Sequence, residues 1–335
     1  GRHPHLTPLS SRTQRRFNPF GALASLERVG CAVAVVLLWA TIGCGRTAAP
    51  PTKVVAGVDL PPGFALLSSR ERFLVGASGL TVDPSGKVWT VTEDSRALLA
   101  LSVTAGSLRV EAGPVPIEGI DAGLEAESIV AVDGKRFAIG TEGQGRRKAD
   151  KLFLVEVQGG RARVARVIEL SYRLWGIQGE PNKGIEGVCY AKGRLLVALE
   201  PVLVENRRRY APLARFDLET GRWQAMRLRL TTGSGKLAGL SCRARPGGGI
   251  AVVAIERHYG IARLLQFVVP DRDSSTAPAL LEEPSSRVLL DLAPLLRPLP
   301  NFEGVARAGE TLYLISDNHQ RSTTGSTYLV RFKAR

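Results

Sequence analysis

The chain has 335 residues, 44% of them apolar, and a mean hydropathy close to zero. These values are typical of a globular protein, exclude a mainly disordered one, and allow one large domain or two ordinary ones. The formal net charge is +14, yet no block of five or six consecutive lysines and arginines occurs. We therefore expect no nucleic-acid partner, and we expect some attraction for small anions.

Residues 1–43 have the pattern of an export signal. A basic segment, 12–28, precedes an uncharged apolar run, 29–42, which is shorter than the roughly 20 residues of a transmembrane helix. The run ends in Thr41-Ile42-Gly43-Cys44, which resembles a bacterial lipoprotein cleavage site except that this class has an aliphatic residue in place of Thr41. We predict lipidation at Cys44; ordinary cleavage nearby and an uncleaved anchor are the alternatives.

The rest of the chain divides into a tether and one domain. Residues 44–62 are rich in Pro and Ala, which predicts a tether between a membrane surface and the domain. For residues 63–335 we predict a single β domain, on the basis of the repeated strands described next. We expect an exported monomer: a periplasmic or outer-membrane lipoprotein of a bacterium, held to the membrane through Cys44, or a secreted protein.

A phrase of two short strands occurs five times in this domain. The copies begin at Ser78, Glu127, Glu186, Ala238 and Glu303. Their spacing of about 50 to 65 residues is typical of the inner hairpin of a four-stranded blade, so the sequence predicts an all-β fold, a β-propeller. Five copies favour five blades, and six is the alternative if a further blade lies near residues 271–300. We expect the N-terminal run 64–75 to supply the fourth strand of the last blade, which would close the ring by pairing the two chain ends.

The predicted propeller contains two cysteines, in the first strands of neighbouring copies. Counted from the shared glycines Gly187 and Gly239, Cys189 lies two residues on and Cys242 three. Strand alternation sends them to opposite faces. We therefore expect two buried thiols, with a disulfide as the less favoured alternative. No Cys/His spacing typical of zinc occurs.

Carboxylates mark both ends of the repeated hairpin, which return to one rim. Glu127, Glu186 and Glu303 open three copies, and all five copies close with an acid. The closing acids are Glu93, Glu142, Glu200, Glu256 and Asp317. The first strand of each blade lines the central channel, so we predict a channel mouth ringed by carboxylates. Alternatively, the closing acids accept hydrogen bonds from backbone N–H groups and pair with the arginines that follow them. This reading is weaker for the opening trio, because carboxylates near one axis repel each other unless a cation lies between them.

Two histidines follow closing acids at equivalent places in adjacent copies. His258 lies two residues after Glu256, and His319 lies two residues after Asp317. A histidine beside a carboxylate is suited to act as a general base at neutral pH, although a solvated side chain is the plainer interpretation.

The stretch 232–236, TGSGK, lacks the spacing of a phosphate loop and is interpreted as a turn. No G-x-S-x-G motif occurs, so we expect water activated by a metal ion or by histidine instead of a serine nucleophile.

Four motifs, in order and at blade spacing, resemble the bacterial phytase-like family, described as having esterase-like activity of phytase. They are NKGIEG at 182–187, ALEP at 198–201, IER at 255–257, and NFEG at 301–304 followed by SDN at 316–318. The resemblance covers residues 76–335 and implies an exported propeller that hydrolyses an ester or a phosphoester, with calcium as the cofactor. Ser78 and Ala238 depart from the pattern, because the other copies carry Glu there and the acidic ring is incomplete.

These observations predict a metal-assisted hydrolase of a small anionic or ester substrate. The expected Ca²⁺ ligands are Glu127, Glu186, Glu303 and Asp317. The expected catalytic residues are His258 and His319, which move protons, and Arg257 and Arg321, which steer the substrate. The expected substrate-binding residues are Asn182, Glu200, Glu256, Asn301 and Asn318. The alternative is a non-catalytic envelope propeller that binds a protein, a glycan or a small ligand through the same mouth.

Overall fold

The structure is a computed structural model that describes residues 50–93, 95–271, 284–318 and 325–334. By its internal contacts the chain divides into two units, Gly1–Arg46 and Thr47–Arg335, and the first lies outside the described ranges. Cys44, His319 and Arg321 also lie outside them, so their predicted roles stay predictions. In the part of the chain that is described, no helix is long and apolar enough to cross a membrane.

The described part of the chain is all-β, which confirms the predicted class. Its helical segments are two short 3-10 turns, Arg72–Leu74 and Tyr172–Trp175. The strands are β1 (Lys53–Val54), β2 (Ala65–Ser69), β3 (Ala77–Val82), β4 (Val88–Thr92), β5 (Ala97–Val103), β6 (Leu108–Val110), β7 (Val115–Glu118), β8 (Leu124–Ala131), β9 (Arg136–Gly143), β10 (Ala149–Gln158), β11 (Arg161–Ser171), β12 (Ile185–Ala191), β13 (Arg194–Leu199), β14 (Leu203–Glu205), β15 (Arg208–Asp217), β16 (Trp223–Arg229), β17 (Lys236–Ala244), β18 (Ile250–His258), β19 (Ile261–Val269), β20 (Ser286–Asp291), β21 (Leu296–Arg297), β22 (Asn301–Ala308), β23 (Thr311–Asp317) and β24 (Thr327–Lys333).

The strands form antiparallel sheets built from consecutive hairpins. Three of these sheets have the orders β12-β13-β15-β14 with β16 beside β15, β17-β18-β19-β20, and β2-β24-β23-β22. A larger sheet joins β3–β6 to β8–β11, because β7 pairs with β5 on one side and runs parallel to β11 on the other. Strand β2 pairs with β24 from Ala65 opposite Arg331 to Ser69 opposite Thr327. Short β1 pairs with β21, so part of the segment assigned to the tether is bound to the domain.

The first strand of each hairpin group packs against the first strand of the next group. An added Cβ would come within 2.4–2.7 Å of an atom of the neighbouring first strand at four glycines, namely Gly79, Gly187, Gly239 and Gly304. No side chain fits there, so these glycines let the backbones approach closely. The fifth place holds Ser128, whose hydroxyl donates to the carbonyl of Ile185 on β12 at 3.0 Å. The strands β3, β8, β12, β17 and β22 therefore follow one another around a common axis, as inner strands do in a β-propeller.

The hydrophobic core lies between facing sheets. Five clusters of buried apolar side chains occur among the described residues, each shared by two consecutive hairpin groups. One unites Leu196 and Leu213 with Val252 and Phe267, all at most 2% exposed. Alternating residues of the central strands β13 and β18 thus belong to two neighbouring clusters, which explains why these strands are buried on both faces.

The expectation of two separate thiols was wrong, because Cys189 and Cys242 form a disulfide with their Cα atoms 5.4 Å apart. The two cysteines do point to opposite faces of their own sheets. In sheets stacked around an axis, however, the forward face of one blade meets the rear face of the next. Two cysteines on neighbouring inner strands can therefore meet when their positions in the repeat differ by one residue, as those of Cys189 and Cys242 do.

Candidate functional site

All five inner strands carry a β-bulge at the same place. The register shifts lie between Ala77 and Leu80, Ala126 and Ser128, Ile185 and Gly187, Leu237 and Leu240, and Phe302 and Gly304. The residues within these bulges include Ser78, Glu127, Glu186, Ala238 and Glu303. A bulge bends its strand and re-aims the side chain of the extra residue, so the residues that open the sequence repeat are those that the bulges present.

The bulges bring three glutamates together in the interior. Glu127, Glu186 and Glu303 are only 4–5% exposed, and a carboxylate oxygen from each lies within 4.8 Å of the other two. A second group with the same closeness comprises Glu125, Glu127 and Glu142. Oxygens that bind one calcium ion at 2.3–2.6 Å are at most about 5 Å apart. Both groups of carboxylates therefore fit a divalent cation.

The two copies without glutamate complete the ring in different ways. The Ser78 hydroxyl lies 2.7 Å from the backbone oxygen of Glu127 and 3.0 Å from its carboxylate. At the place of Ala238, the side chain of Arg257 reaches in from β18. Its Nη2 lies 2.6 Å from Glu303 Oε1 and 3.8 Å from Glu186 Oε2. A guanidinium thus supplies a permanent positive charge between two of the three carboxylates.

Asn301 holds Arg257 and Glu303 in this arrangement. Arg257 Nη1 donates to Asn301 Oδ1 at 2.9 Å, and Asn301 Nδ2 donates to Glu303 Oε1 at 2.6 Å. The three side chains form a closed hydrogen-bonded triangle, and the Arg257 side chain is only 11% exposed. Asn301, predicted to bind substrate, therefore orients the charged groups of the ring.

Burial and mutual repulsion raise the pKa values of four glutamates at this site. Burial, followed by the charge of Asp317, raises the pKa of Glu93 to about 9. Burial, followed by Glu125, raises the pKa of Glu142 to about 8. Burial, followed by Glu303, also raises the pKa of Glu186 to about 8, although Arg257 acts against it. Glu127, buried beside Glu186, has a pKa well above its ordinary value. With no further cation, the cluster therefore keeps several protons at neutral pH.

Lys236 is a member of the site that sequence reasoning missed. Its ammonium pairs with the carboxylate of Glu200, and burial, followed by repulsion from Arg257, lowers the pKa of Lys236. The stretch was interpreted as a turn, whereas Lys236 is the first residue of β17. One signal was available: Lys236 stands two residues before the bulge position of its copy, as Asn301 does in the last copy.

A cleft of about 810 Å³ opens over this end of the inner strands. Among the described residues its basic lining residues are Arg70, Lys183, Arg209, Lys236 and Arg257, and its acidic ones are Glu180, Glu200 and Asp317. Two predicted substrate-binding residues, Asn301 and Asn318, also line it. Asn318 accepts from the backbone N–H of Gly76 at 3.2 Å. Basic residues outnumber acidic ones in this lining, which favours an anionic ligand, but Lys236 and Arg257 are already paired with Glu200 and Glu303.

Of three other predicted site residues, Glu256, Asn182 and His258, only His258 lines the cleft. Glu256 is fully buried, and its carboxylate accepts from the N–H and hydroxyl groups of Thr231 and Thr232; this is the backbone-binding role considered as the alternative. Asn182 is exposed in a turn, with a positive φ of 52°. His258 is exposed at the end of β18 and lines the cleft. The structure thus brings His258 to the cleft, but Asn182 and Glu256 are not part of its lining.

A buried polar network fixes the loop that leads into β12. Arg147 donates to the carbonyls of Glu180 at 3.1 Å and Lys183 at 2.9 Å. Arg147 also pairs with Asp150, whose carboxylate accepts from the hydroxyl of Tyr172. The loop is therefore bound on several sides immediately before Glu186. These residues have no repeat position in common, so the network could not be predicted from the repeat.

The fold and the site define a β-propeller with buried carboxylates beneath a charged cleft. The model of the phytase-like family, described as esterase-like activity of phytase, matches residues 73–320. The chain belongs to this family, which confirms the resemblance seen in its motifs. No curated protein matches the chain significantly.

Several solved structures have a distant likeness to the chain. The PQQ-bound aldose sugar dehydrogenase of Streptomyces coelicolor shares 10% identity, with a TM-score of 0.41 over 82% of this chain and 99% of that one. A luciferin-regenerating enzyme shares 11% identity, with a TM-score of 0.39 over 80% and 95% of the two chains. The polysaccharide lyase Uly1 shares 12%, with a TM-score of 0.34 over 76% and 57%. Likenesses at this level support no conclusion about activity.

Proposed function

We propose that this protein is an exported five-bladed propeller that hydrolyses an ester or phosphoester with the help of a divalent cation, Ca²⁺. The observation that carries the proposal is the convergence of Glu127, Glu186 and Glu303, delivered by equivalent bulges to one point. Buried carboxylates without a compensating cation are costly, and Arg257 contacts only two of the three. A cation held on the side of Glu127 would relieve the remaining repulsion.

Five blades and a ring closed by β2 are part of this proposal. Five inner strands, five bulges and five core clusters support the count. The pairing of β2 with β24 supports closure, because it supplies the fourth strand of the sheet that contains β22.

The chain's own residues suggest how the reaction would proceed. When bound, the cation would polarise the ester or phosphoryl oxygen. Lys236 and Arg257, both in the cleft lining, would bind the negative charge that develops on the substrate. His258, which lines the cleft, would take a proton from the attacking water and return it to the leaving group, and Asp317 remains a proposed fourth ligand.

Export is supported by the disulfide between Cys189 and Cys242. Disulfides form and persist in oxidising compartments and are rare in the bacterial cytosol. We propose a periplasmic or secreted location on this ground. Lipidation of Cys44, and with it anchorage to a membrane, remains a prediction from the sequence.

The test combines metal analysis with activity. Purified protein is analysed for bound metal and titrated calorimetrically with Ca²⁺, and is then assayed on p-nitrophenyl acetate and p-nitrophenyl phosphate with Ca²⁺ or with chelator. We expect Ca²⁺-dependent turnover that Glu127→Gln abolishes. Glu118→Gln is the matched control, because Glu118 pairs with Arg163 on the exposed outer sheet. Turnover that chelator and Glu127→Gln both leave intact would refute the metal-assisted mechanism.

A non-catalytic binding propeller is the second candidate. The ion pair of Arg257 with Glu303 favours it, because the chain already neutralises part of the ring by itself. A thermal-shift screen separates the two: a melting point that rises with Ca²⁺ indicates a metal site. No cation response together with capture of a stable ligand would support the binding module.

A further inference from the structure

The cleft described above has two zones of different chemistry. Its deep zone is charged and largely buried, with Arg257 11% exposed and Asp317 8% exposed. Its outer zone is exposed and contains the rigid rings of Pro51, Pro298 and Tyr259 alongside the charged Arg70 and Glu180. Ligand sites commonly combine an apolar wall with a few polar groups that fix orientation. A ligand that fills both zones must carry a charge at one end and an apolar body at the other.

Tyr259 is the most distinctive residue of the outer zone. It is 82% exposed and occupies, with Gly260, the two-residue turn between β18 and β19. Gly260 supplies the positive φ of 74° that the turn uses, so the turn itself does not call for an aromatic residue at 259. The His258 ring packs edge-to-face against the tyrosine with centroids 5.1 Å apart. This contact orients the Tyr259 ring without burying it, which leaves an aromatic surface at the opening.

The prolines extend this apolar surface. Pro51 is anchored by its neighbour Thr52, whose N–H donates to the hydroxyl of Tyr328 at 2.8 Å. Pro298 follows β21, which pairs with β1. Rigid rings of proline and tyrosine bind a flat or cyclic group at a low cost in conformational entropy. A flexible alkyl chain would lose more freedom on the same surface.

We propose that the cleft binds a ring-bearing anion, with the negative group at Lys236 and Arg257 and the ring against Tyr259 and the prolines. The inference rests on the proposed function for one detail: if the protein is a hydrolase, its substrate is an ester or phosphoester of an aryl or sugar ring. The basic residues of the lining favour a negative group, and the exposed rings of Tyr259, Pro51 and Pro298 favour a cyclic one.

The test compares two non-hydrolysable anions with the same charged group. Binding of phenylphosphonate and methylphosphonate is measured by calorimetry on the full chain in the presence of chelator. We expect about tenfold tighter binding of phenylphosphonate, from burial of one ring face. Tyr259→Ala should remove this preference, whereas Tyr259→Phe should keep it. Val288→Ala is the control, because Val288 is exposed but does not line the cleft.

Each outcome decides the inference. Equal binding of the two anions, no binding of either, or a preference that survives Tyr259→Ala would overturn it. Failure of the hydrolase proposal is distinguishable, because it would show as absent turnover while the ring preference persisted. The folded state of each variant is checked by its melting point, which should not change for an exposed residue.

Discussion

Arg257 and Glu303 form a buried ion pair between neighbouring hairpin groups, with Nη2 2.6 Å from Oε1. The arginine comes from the second strand of one group and the glutamate from the bulge of the next. The pair therefore fills the place that Ala238 leaves in the acidic ring, and it couples the charge balance of the site to the packing of two sheets.

We predict that Arg257→Gln destabilises the protein by about 3 kcal/mol, because removal of one partner leaves a buried charge without compensation. Denaturant unfolding measures the change. Ca²⁺ should restore part of the loss in this variant. The control is Arg136→Gln, whose exposed pair with Asp133 should contribute less than about 1 kcal/mol. Equal effects of the two substitutions would contradict the prediction.

Stability should fall with rising pH when metal is removed. The pKa values of Glu142 and Glu186 are raised to about 8 and that of Glu93 to about 9. Between the ordinary glutamate pKa of about 4.3 and these values, the folded protein holds protons that the unfolded chain has released. The free energy of unfolding therefore decreases as pH rises from about 5 to 9.

Urea unfolding at a series of pH values, with chelator and with Ca²⁺, measures this dependence. Glu186→Gln should make the decrease shallower, and Ca²⁺ should flatten it, because a cation favours the ionised carboxylates. A stability that rises over this range in chelator would show that the carboxyls are not buried together.

The disulfide should contribute strongly to stability. It joins residues 53 positions apart, and a loop of this length corresponds to about 4 kcal/mol in the chain-entropy model. We predict that Cys189→Ser combined with Cys242→Ser lowers the free energy of unfolding by an amount of this order. Peptide mapping without reductant should recover the linked peptides, and separate thiol peptides from oxidised protein would contradict the bond.

The inner glycines should tolerate no side chain. An added Cβ at Gly239 would lie 2.6 Å from the carbonyl oxygen of Glu303 and 2.8 Å from the N atom of Val305. We predict that Gly239→Ala costs about 3 kcal/mol or more, because backbone atoms cannot move aside as a flexible side chain can. Gly233→Ala is the matched control, since nothing lies within 4 Å of its added Cβ. Melting temperatures of the two variants provide the comparison, and similar values would argue against the close packing.

The repeat in the sequence predicted the class of fold and the convergence of Glu127, Glu186 and Glu303, because equivalent positions of equivalent hairpins must meet near one axis. The sequence did not indicate how the gaps are filled. Arg257 was assigned to the substrate, and the repeat gave no indication that it also contacts Glu303 and Asn301. Such contacts depend on which blade is adjacent and on how far a long side chain reaches. The period of the sequence repeat gives no information about either.

The same limit applies to the loops. Glu256 matches the other closing acids in sequence, yet Thr231 and Thr232 engage its carboxylate. The loop before β17 is not part of the repeat, so its hydrogen bonds to Glu256 could not be predicted from the repeated sequence. The cysteine pair was misjudged for a related reason, since alternation within one strand says nothing about the face of the next sheet.

The location of Pro50 and Pro51 has a practical consequence. Both line the cleft, so residue 50, where the described part of the domain begins, lies at this cleft. Strand β24 begins beside that opening and ends at Lys333, opposite Thr311 at the far hairpin. Immobilisation through the carboxyl-terminal side should leave the opening accessible to soluble ligands, whereas a bulky fusion at residue 50 would crowd it.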